Sequence, residues 1–386
     1  MNTNISSRIT LGIEETTALL EVMIKQNVKL QKENSDAELN VPMLLGPPGI
    51  GKSALIKKVA QNLGYKLNVL IPQEFVGSEM MGWRIAEAGA DRMRHITPDW
   101  LAKLQDISQA EPDKPAILFI DELPQAMPAV QNLVARLVRE GVLGEKKLPD
   151  NWVVVCAGNE TGQRANVNEM PTQLTSRMTL LYYKPSIEET IDLFIKLGTD
   201  HRVVNFLRSK TNNSDANEPI DGSKFFPYHV HVDAIEDCFP TLRNWQKVST
   251  HIKDREDLYS YDIAAIAGSV GQFAAMAFKE YLVVYDKLPE YEDVVNRPSK
   301  AKVNTKDPNV LWALCGWLGS RVGYDEVDAV VNYVENLGNP QLFQYFMSHL
   351  IESRNEIKQG EKRPVRHHPT VMRFGGSQQE LQQDDE

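Results

Sequence analysis

The sequence predicts an α/β protein in which a five-stranded parallel sheet flanked by helices is followed by an α-helical lid and a helical C-terminal region. Short apolar runs alternate with helical patterns in the first part of the chain, and this alternation favours a parallel sheet. Beyond Pro185 the strand pattern stops and helical periodicity takes over. A glycine-rich loop directly after the first apolar run is typical of phosphate-binding α/β folds.

The composition is that of an ordinary globular protein. Hydrophobic residues make up 42% of the 386 residues, and no apolar run approaches the roughly 18 residues of a membrane helix. The polar stretch Met1–Thr10 lacks a signal-peptide core, so we expect a cytoplasmic protein without a membrane partner. Cys156, Cys238 and Cys315 are far apart in apolar segments, which indicates core thiols. The net charge of −10 argues against a surface that binds nucleic acid throughout, although this sum does not report on a local basic channel.

Residues 1–40 are predicted to form a helical lead-in to the sheet. Apolar positions recur at spacings of three and four between Ile13 and Ile24, which is typical of an amphipathic helix. The α/β core is predicted over residues 41–184. Its first strand is Val41–Leu45, and its second is Lys66–Ile71, which ends at a proline.

The loop after the first strand reads GPPGIGKS. Its glycines allow a tight turn in which backbone N–H groups converge on phosphate oxygens at a helix N-terminus. We expect Lys52 to reach the β- and γ-phosphates of a nucleoside triphosphate and Ser53 to bind Mg²⁺. A glycine-rich turn without a ligand is the alternative, but the strand before it and the helix after it favour a phosphate loop. The predicted nucleotide-binding residues are Gly46, Pro47, Pro48, Gly49, Ile50, Gly51, Lys52, Ser53 and Ala54.

Residues 82–96 are predicted to form a small β-hairpin inserted into a helical crossover. The segments Trp83–Glu87 and Asp91–Ile96 flank a short stretch with a glycine at its centre. On the residues alone, a surface hairpin without a role and a functional hairpin are equally well supported.

The third predicted strand, which begins at Ala116, is a continuous apolar run that ends in two carboxylates, Asp121 and Glu122. Ligands of parallel sheets bind beyond the carboxyl ends of the strands. We therefore expect Asp121 to hold the water shell of Mg²⁺ and Glu122 to deprotonate the attacking water. Acidic residues at a strand end are also found as helix caps, but the phosphate loop upstream favours catalysis.

The fourth predicted strand, Trp152–Ala157, is followed closely by Asn159. We expect the amide of Asn159 to contact the γ-phosphate or the attacking water, whereas a plain turn residue is the alternative. Arg177 directly precedes the fifth strand, Met178–Tyr183. We expect this arginine at an edge of the sheet, away from the first strand and from its own γ-phosphate.

The remainder of the chain is predicted to be helical. A helical lid is expected over residues 185–255, a helical region over 256–358 and a disordered tail over 359–386. Within the lid, Arg243 lies in the first turn of a helix that follows a proline. Considered alone, it is interpreted as an arginine in contact with solvent. Tyr261–Tyr285 is predicted to be helical and closely packed because it is rich in Ala, Gly and Phe.

Taken in this order, the motifs resemble the AAA+ ATPases, a branch of the P-loop NTPases. The phosphate loop and the acidic strand are similar to the family's Walker A and Walker B motifs. The resemblance implies that Asn159 is sensor 1, that Arg177 is an arginine finger and that Arg243 is sensor 2 on the lid. The match runs from about residue 40 to 255.

The inserted hairpin resembles that of the helix-2-insert clade, and the layout is similar to the MoxR-type ATPases, some of which work with von Willebrand A-domain proteins. This resemblance implies a homo-oligomeric ring, expected to be a hexamer, that binds ATP and Mg²⁺ between subunits and remodels a protein partner like a chaperone. The stretch after Asn159 differs from the sequence that is usual in MoxR-type ATPases. Arg164 is therefore a second candidate for the arginine that acts across the subunit interface.

Two other functions remain open at this point. A nucleic-acid translocase or helicase is the first, and Arg84, Arg92, Arg94 and His95 of the hairpin support it while Glu87 and Asp91 oppose it. A scaffold that binds ATP without turnover is the second, and the presence of Glu122 and Arg177 argues against it.

Overall fold

The computed structural model describes residues 9–33, 38–86, 93–160, 168–211, 225, 238–255, 257–353 and 364–375. They divide into two compact units. The first runs as far as Ser186, and the second begins at Ile187.

A six-stranded parallel sheet forms the centre of the first unit, and two short antiparallel hairpins accompany it. The strands in chain order are β1 (Thr10–Leu11), β2 (Val41–Leu45), β3 (Lys66–Leu70), β4 (Arg84–Ala86), β5 (Met93–His95), β6 (Ala116–Ile120), β7 (Val142–Leu143), β8 (Lys146–Lys147), β9 (Trp152–Gly158) and β10 (Met178–Tyr183). The order across the sheet is β1-β10-β2-β9-β6-β3. Every residue of β2, β6 and β9 is buried, as expected of central strands covered on both faces.

The predicted α/β fold with its parallel sheet and helical C-terminal region is confirmed, with one addition and one correction. The addition is β1, a two-residue strand that pairs with the end of β10. The correction concerns β10, which pairs with β2 from Met178 opposite Val41 to Tyr182 opposite Leu45. The strand after Arg177 therefore lies next to the first predicted strand and inside the sheet, because crossover connections and not spacing along the chain decide strand order.

Helices cover the sheet of the first unit: α1 (Ile13–Lys32), α2 (Lys52–Leu63), α3 (Gly77–Met81), α4 (Asp99–Ala110), α5 (Pro128–Glu140) and α6 (Thr172–Thr175). The buried residues of α1, which include Leu20, Ile24 and Val28, recur every four positions, which places them on one face. Helix α5 ends at Gly141, whose φ of 63° lies in the left-handed region that glycine adopts readily.

The second unit is helical: α7 (Ile187–Lys196), α8 (His201–Thr211), α9 (Leu242–Ile252), α10 (Ser260–Val270), α11 (Gln272–Leu282), α12 (Tyr291–Asn296), α13 (Pro308–Arg321), α14 (Val327–Glu335) and α15 (Pro340–Ser353). The segment Tyr261–Tyr285 is helical, as predicted, but it is divided into two helices. Gly271 separates α10 from α11 with a φ of 89°, which a right-handed helix does not accommodate. None of the helices in the described part of the chain combines the length and the apolar composition that a membrane span requires.

The predicted disorder of residues 359–386 does not hold for residues 364–375. This segment forms a 3-10 turn at Val365–His367 and then a helical stretch. Val365 and Val371 are 0% and 1% exposed. Two apolar side chains thus anchor a segment whose average composition is polar.

The three cysteines are unpaired thiols in the structure. Cys156 and Cys315 are buried, as predicted, and burial raises the pKa of the Cys315 thiol to about 12. Cys238 is only half-buried, so it is not a core thiol, and its Sγ donates to the backbone oxygen of Gly268 at 2.9 Å. Among the residues that the structure describes, no cluster of three or more His, Cys, Asp or Glu side chains is arranged to hold a metal ion.

Candidate nucleotide-binding site

The predicted phosphate loop connects the end of β2 to the start of α2. Gly49 and Gly51 have φ angles of 75° and 94°, which residues with a side chain rarely adopt. A Cβ on Gly46 would lie 2.5 Å from the backbone oxygen of Tyr183 on the neighbouring strand. Glycine is therefore required both for the turn and for the close approach of the loop to the neighbouring strand. The loop leads into the N-terminus of α2, where backbone N–H groups can bind an anion.

The Lys52 side chain lies over this loop and is only 7% exposed. Its Nζ donates to the backbone oxygens of Gly46 and Pro47 at 2.8 Å each. It also donates to Oδ1 of Asn159 at 2.9 Å. Asn159 follows β9, which lies beside β2, so the sheet brings the predicted sensor to the predicted phosphate-binding lysine.

Ser53 and Asp121 meet at the same edge of the sheet. The Ser53 hydroxyl donates to Oδ2 of Asp121 at 2.6 Å, across 68 positions in the chain. A hydroxyl and a carboxylate oxygen are hard donors of the kind that Mg²⁺ prefers. The pair therefore fits a magnesium ion held beside the phosphate loop.

Glu122 has a backbone conformation that is uncommon for its residue type. Its φ and ψ are 56° and 30°, in the left-handed region, and it is one of two non-glycine residues with positive φ in the described part of the chain. Such conformations cost roughly 1 to 3 kcal/mol and are concentrated at functional sites. The side chain is exposed at the carboxyl edge of the sheet, beside Asp121.

A close contact between Gly158 and the turn that follows Glu122 was not predicted from the sequence. The 3-10 turn Leu123–Gln125 lies against Gly158, the last residue of β9. A Cβ on Gly158 would lie 2.5 Å from Cγ of Pro124 and closer still to Cδ. The only feature of the sequence that could have indicated this contact is the position of Gly158 directly before Asn159.

Arg177 does not lie in this cluster of the first unit, and Arg243 belongs to the second unit. Arg177 precedes β10 at its amino end, whereas the phosphate loop follows β2 at its carboxyl end, and the two strands are parallel. Five residues of strand, roughly 16 Å, separate the two levels. Nη1 of Arg177 donates to the backbone oxygen of Gln173. Arg243 is exposed in the first turn of α9 in the second unit, and Arg164 lies outside the described residues.

Residues 42–186 match the model of the ATPase family associated with various cellular activities (AAA). The chain contains an AAA ATPase domain. This AAA domain includes the sheet from β2 to β10 and therefore the phosphate loop, the acidic pair at the end of β6, Asn159 and Arg177. A search of curated proteins finds no match to the sequence.

Solved structures that resemble the chain include two mutant forms of RuvB from Thermotoga maritima. One is 14% identical, with 87% of this chain and 89% of that chain covered, at a TM-score of 0.36. The other is 16% identical, with 86% and 92% covered, also at a TM-score of 0.36.

Proposed function

We propose that this chain hydrolyses ATP and that, as a homo-oligomeric ring, it uses hydrolysis to remodel a protein partner. The AAA domain supports nucleotide hydrolysis in general. The observation that carries the proposal is the cluster at the carboxyl edge of the sheet. There, hydrogen bonds join Lys52 to Asn159 and Ser53 to Asp121, and Glu122, which is exposed, directly follows Asp121.

In this proposal catalysis is positioning and charge stabilisation. The loop N–H groups and the Lys52 ammonium bind the phosphates, whose oxygens replace the carbonyls of Gly46 and Pro47 as partners of Nζ. Ser53 and Asp121 would hold Mg²⁺, which neutralises phosphate charge when it is bound.

The chemical step falls to Glu122 and Asn159 in the same cluster. Glu122 takes a proton from the water whose oxygen bonds to the γ-phosphorus, and the bond to the bridging oxygen of ADP breaks. Asn159 orients the water or the γ-phosphate.

Arg177 acts in this scheme on the nucleotide of the neighbouring subunit. Its place at the amino end of β10, about one strand length from the loop, makes it unsuited to its own site. An arginine supplied by a neighbour contributes on the order of 10³ or more in rate. We expect a hexamer with nucleotide at each interface, and Arg243 contributes as sensor 2 from the lid.

Mixing two inactive variants tests hydrolysis and the shared site together. Arg177→Ala and Glu122→Gln should each bind ATP and hydrolyse it slowly. Their mixture should regain part of the phosphate release, because some interfaces combine an intact Glu122 with an intact Arg177. Arg136→Ala is the matched control, since Arg136 forms an exposed pair with Glu140 at 2.9 Å and should keep the normal rate. Absence of recovery in rings shown to be mixed would contradict the proposal.

The inserted hairpin supports a protein as the substrate. Trp83, Ile85 and Met93 are 61%, 46% and 65% exposed, so the hairpin offers apolar surface to a partner. A MoxR-type ATPase that acts on a von Willebrand A-domain protein or a similar client fits this surface.

A nucleic-acid motor is the second candidate, because Arg84 and Arg94 are also exposed on the hairpin and could bind phosphates. Steady-state phosphate release with duplex DNA or with casein as an unfolded protein separates the two functions. Stimulation by casein alone supports remodelling, and stimulation by DNA alone supports the motor. A chain that binds ATP and releases no phosphate under any condition would be a scaffold.

A further inference from the structure

Two amide side chains hold the turn that follows Glu122. The Nε2 of Gln131, on α5, donates to the backbone oxygens of Pro124 and Ala126 at 3.2 and 3.1 Å. The backbone N of Asn168 donates to the same Pro124 oxygen at 2.8 Å, and its Nδ2 donates to the same Ala126 oxygen at 2.9 Å. Each carbonyl therefore accepts two hydrogen bonds, which is its full capacity.

The Gln131 amide has an energetic cost at its buried position. The residue is 0% exposed, and its Oε1 is buried without a hydrogen-bond partner. A methionine of similar volume would avoid this unsatisfied acceptor. The amide therefore contributes through the placement of the turn rather than through packing, and the residue whose placement needs support is Glu122, held in a left-handed conformation directly before that turn.

Asn168 connects the same turn to a different part of the AAA domain. It lies nine positions before Arg177, and α6 lies between them. Leu174 of α6 is 0% exposed in the hydrophobic core that also contains Leu123 and Ala126. The segment from Asn168 to Arg177 is thus attached to the catalytic turn by hydrogen bonds at one end and by core packing in its middle.

We infer that Gln131 and Asn168 are positioning residues that aim the carboxylate of Glu122, and that Asn168 also couples this carboxylate to the segment that ends in Arg177. The inference rests on the proposed function, in which Arg177 faces the nucleotide of the next subunit. A movement of that arginine is then transmitted to the catalytic turn of its own subunit, so that neighbouring sites influence each other through Asn168.

The positioning role predicts a loss of turnover without a loss of binding. Gln131→Met and Asn168→Ala should each lower kcat by roughly tenfold, the effect of about one to two hydrogen bonds, while KM for ATP stays within about twofold. Asn151→Ala is the matched control. Its Nδ2 also donates to a backbone oxygen, that of Lys114 at 2.9 Å. Asn151, however, directly precedes β9 and so lies at the amino ends of the strands, opposite the phosphate loop. This control should keep the normal kcat even if its melting temperature falls as far.

A double-mutant cycle separates positioning from general destabilisation. In a Glu122→Gln background, Gln131→Met should cause no further fall in single-turnover hydrolysis, because the group that it positions is already absent. A further full tenfold fall would overturn the role assigned to Gln131. Normal kcat in both single variants would overturn the positioning role altogether. Asn168 is exposed, so its variant remains testable even if Gln131→Met does not fold.

Hydrogen exchange tests the coupling without depending on turnover. Addition of Mg²⁺ and a non-hydrolysable ATP analogue should slow amide exchange in residues 168–177 of the wild type and of Gln131→Met. Asn168→Ala should lose this response, although it still binds the analogue. An unchanged exchange rate in the wild-type segment, or a normal response in Asn168→Ala, would overturn the coupling. A wild-type chain that binds the analogue and releases no phosphate from ATP would refute the proposed hydrolysis instead, so the two failures are distinguishable.

Discussion

Replacing Gly158 with alanine should slow hydrolysis without removing any group that contacts nucleotide. The new Cβ would lie 2.5 Å from Cγ of Pro124 and 3.3 Å from Cε of Met43. The methionine is flexible and can yield, but the proline ring is rigid. Hydrogen bonds from Gln131 and Asn168 also hold the backbone of the turn to which Pro124 belongs.

The size of the effect follows from ordinary contact distances. Carbon atoms rest about 3.5 to 4.0 Å apart, so the proline ring must move by at least about 1 Å. Overpacking of this kind costs roughly 1 to 3 kcal/mol of folding free energy. Glu122 is two residues before Pro124 and moves with it, and a misplacement of 1 Å can cost about 10²-fold in rate. We therefore expect Gly158→Ala to lower kcat by about ten- to a hundredfold.

Single-turnover hydrolysis and nucleotide titration check this prediction together with thermal unfolding. Gly77→Ala is the control, because its Cβ would meet only Leu133 Cδ1 at 3.9 Å. Adding Pro124→Ala to Gly158→Ala removes the ring atoms that clash and should restore part of the rate. A folded Gly158→Ala protein with a normal rate would refute the argument that Pro124 transmits the strain to Glu122.

Three other outcomes are expected. Lys52→Ala should abolish or severely weaken ATP binding in a titration, and unchanged affinity would contradict the role of the loop. Deleting residues 83–94 should leave basal phosphate release intact and remove any stimulation by casein or DNA, whereas preserved stimulation would mean that the hairpin has no part in client contact. Hydrogen bonds from Arg255 hold the pKa of the Asp262 carboxyl at about 2, below its usual 3.8, so this carboxylate stabilises the fold above about pH 4 and loses that effect as pH falls toward 2. The melting temperature of the wild type should thus exceed that of Asp262→Asn at about pH 6 by more than at about pH 2.5, and a constant difference would contradict the sign.

The sequence alone predicted the α/β class, the phosphate loop and the acidic strand end, because these features are local. A strand, a glycine loop and a helix lie within some twenty consecutive positions from Val41, and their geometry follows from backbone preferences of the residues themselves. The apolar run that ends at Asp121 is equally local, since a strand buried on both faces has no polar positions.

Sequence patterns failed where the outcome depended on which segments meet. Spacing along the chain placed Arg177 at a sheet edge, but the structure places β10 between β1 and β2. The same expectation, that Arg177 does not serve its own site, now has a different reason, which is its position at the amino end of the strand. Residues 364–375 looked disordered by composition, yet Val365 and Val371 are buried.

Only the tertiary structure showed how the turn that follows Glu122 is held. Gln131, Gly158 and Asn168 belong to no motif, and the roles that we propose for them rest on contacts with Pro124 and with the backbone around it. Motifs record groups that chemistry requires at fixed spacings. The residues that position those groups act through distances across separate elements, and such distances exist only once the chain has folded.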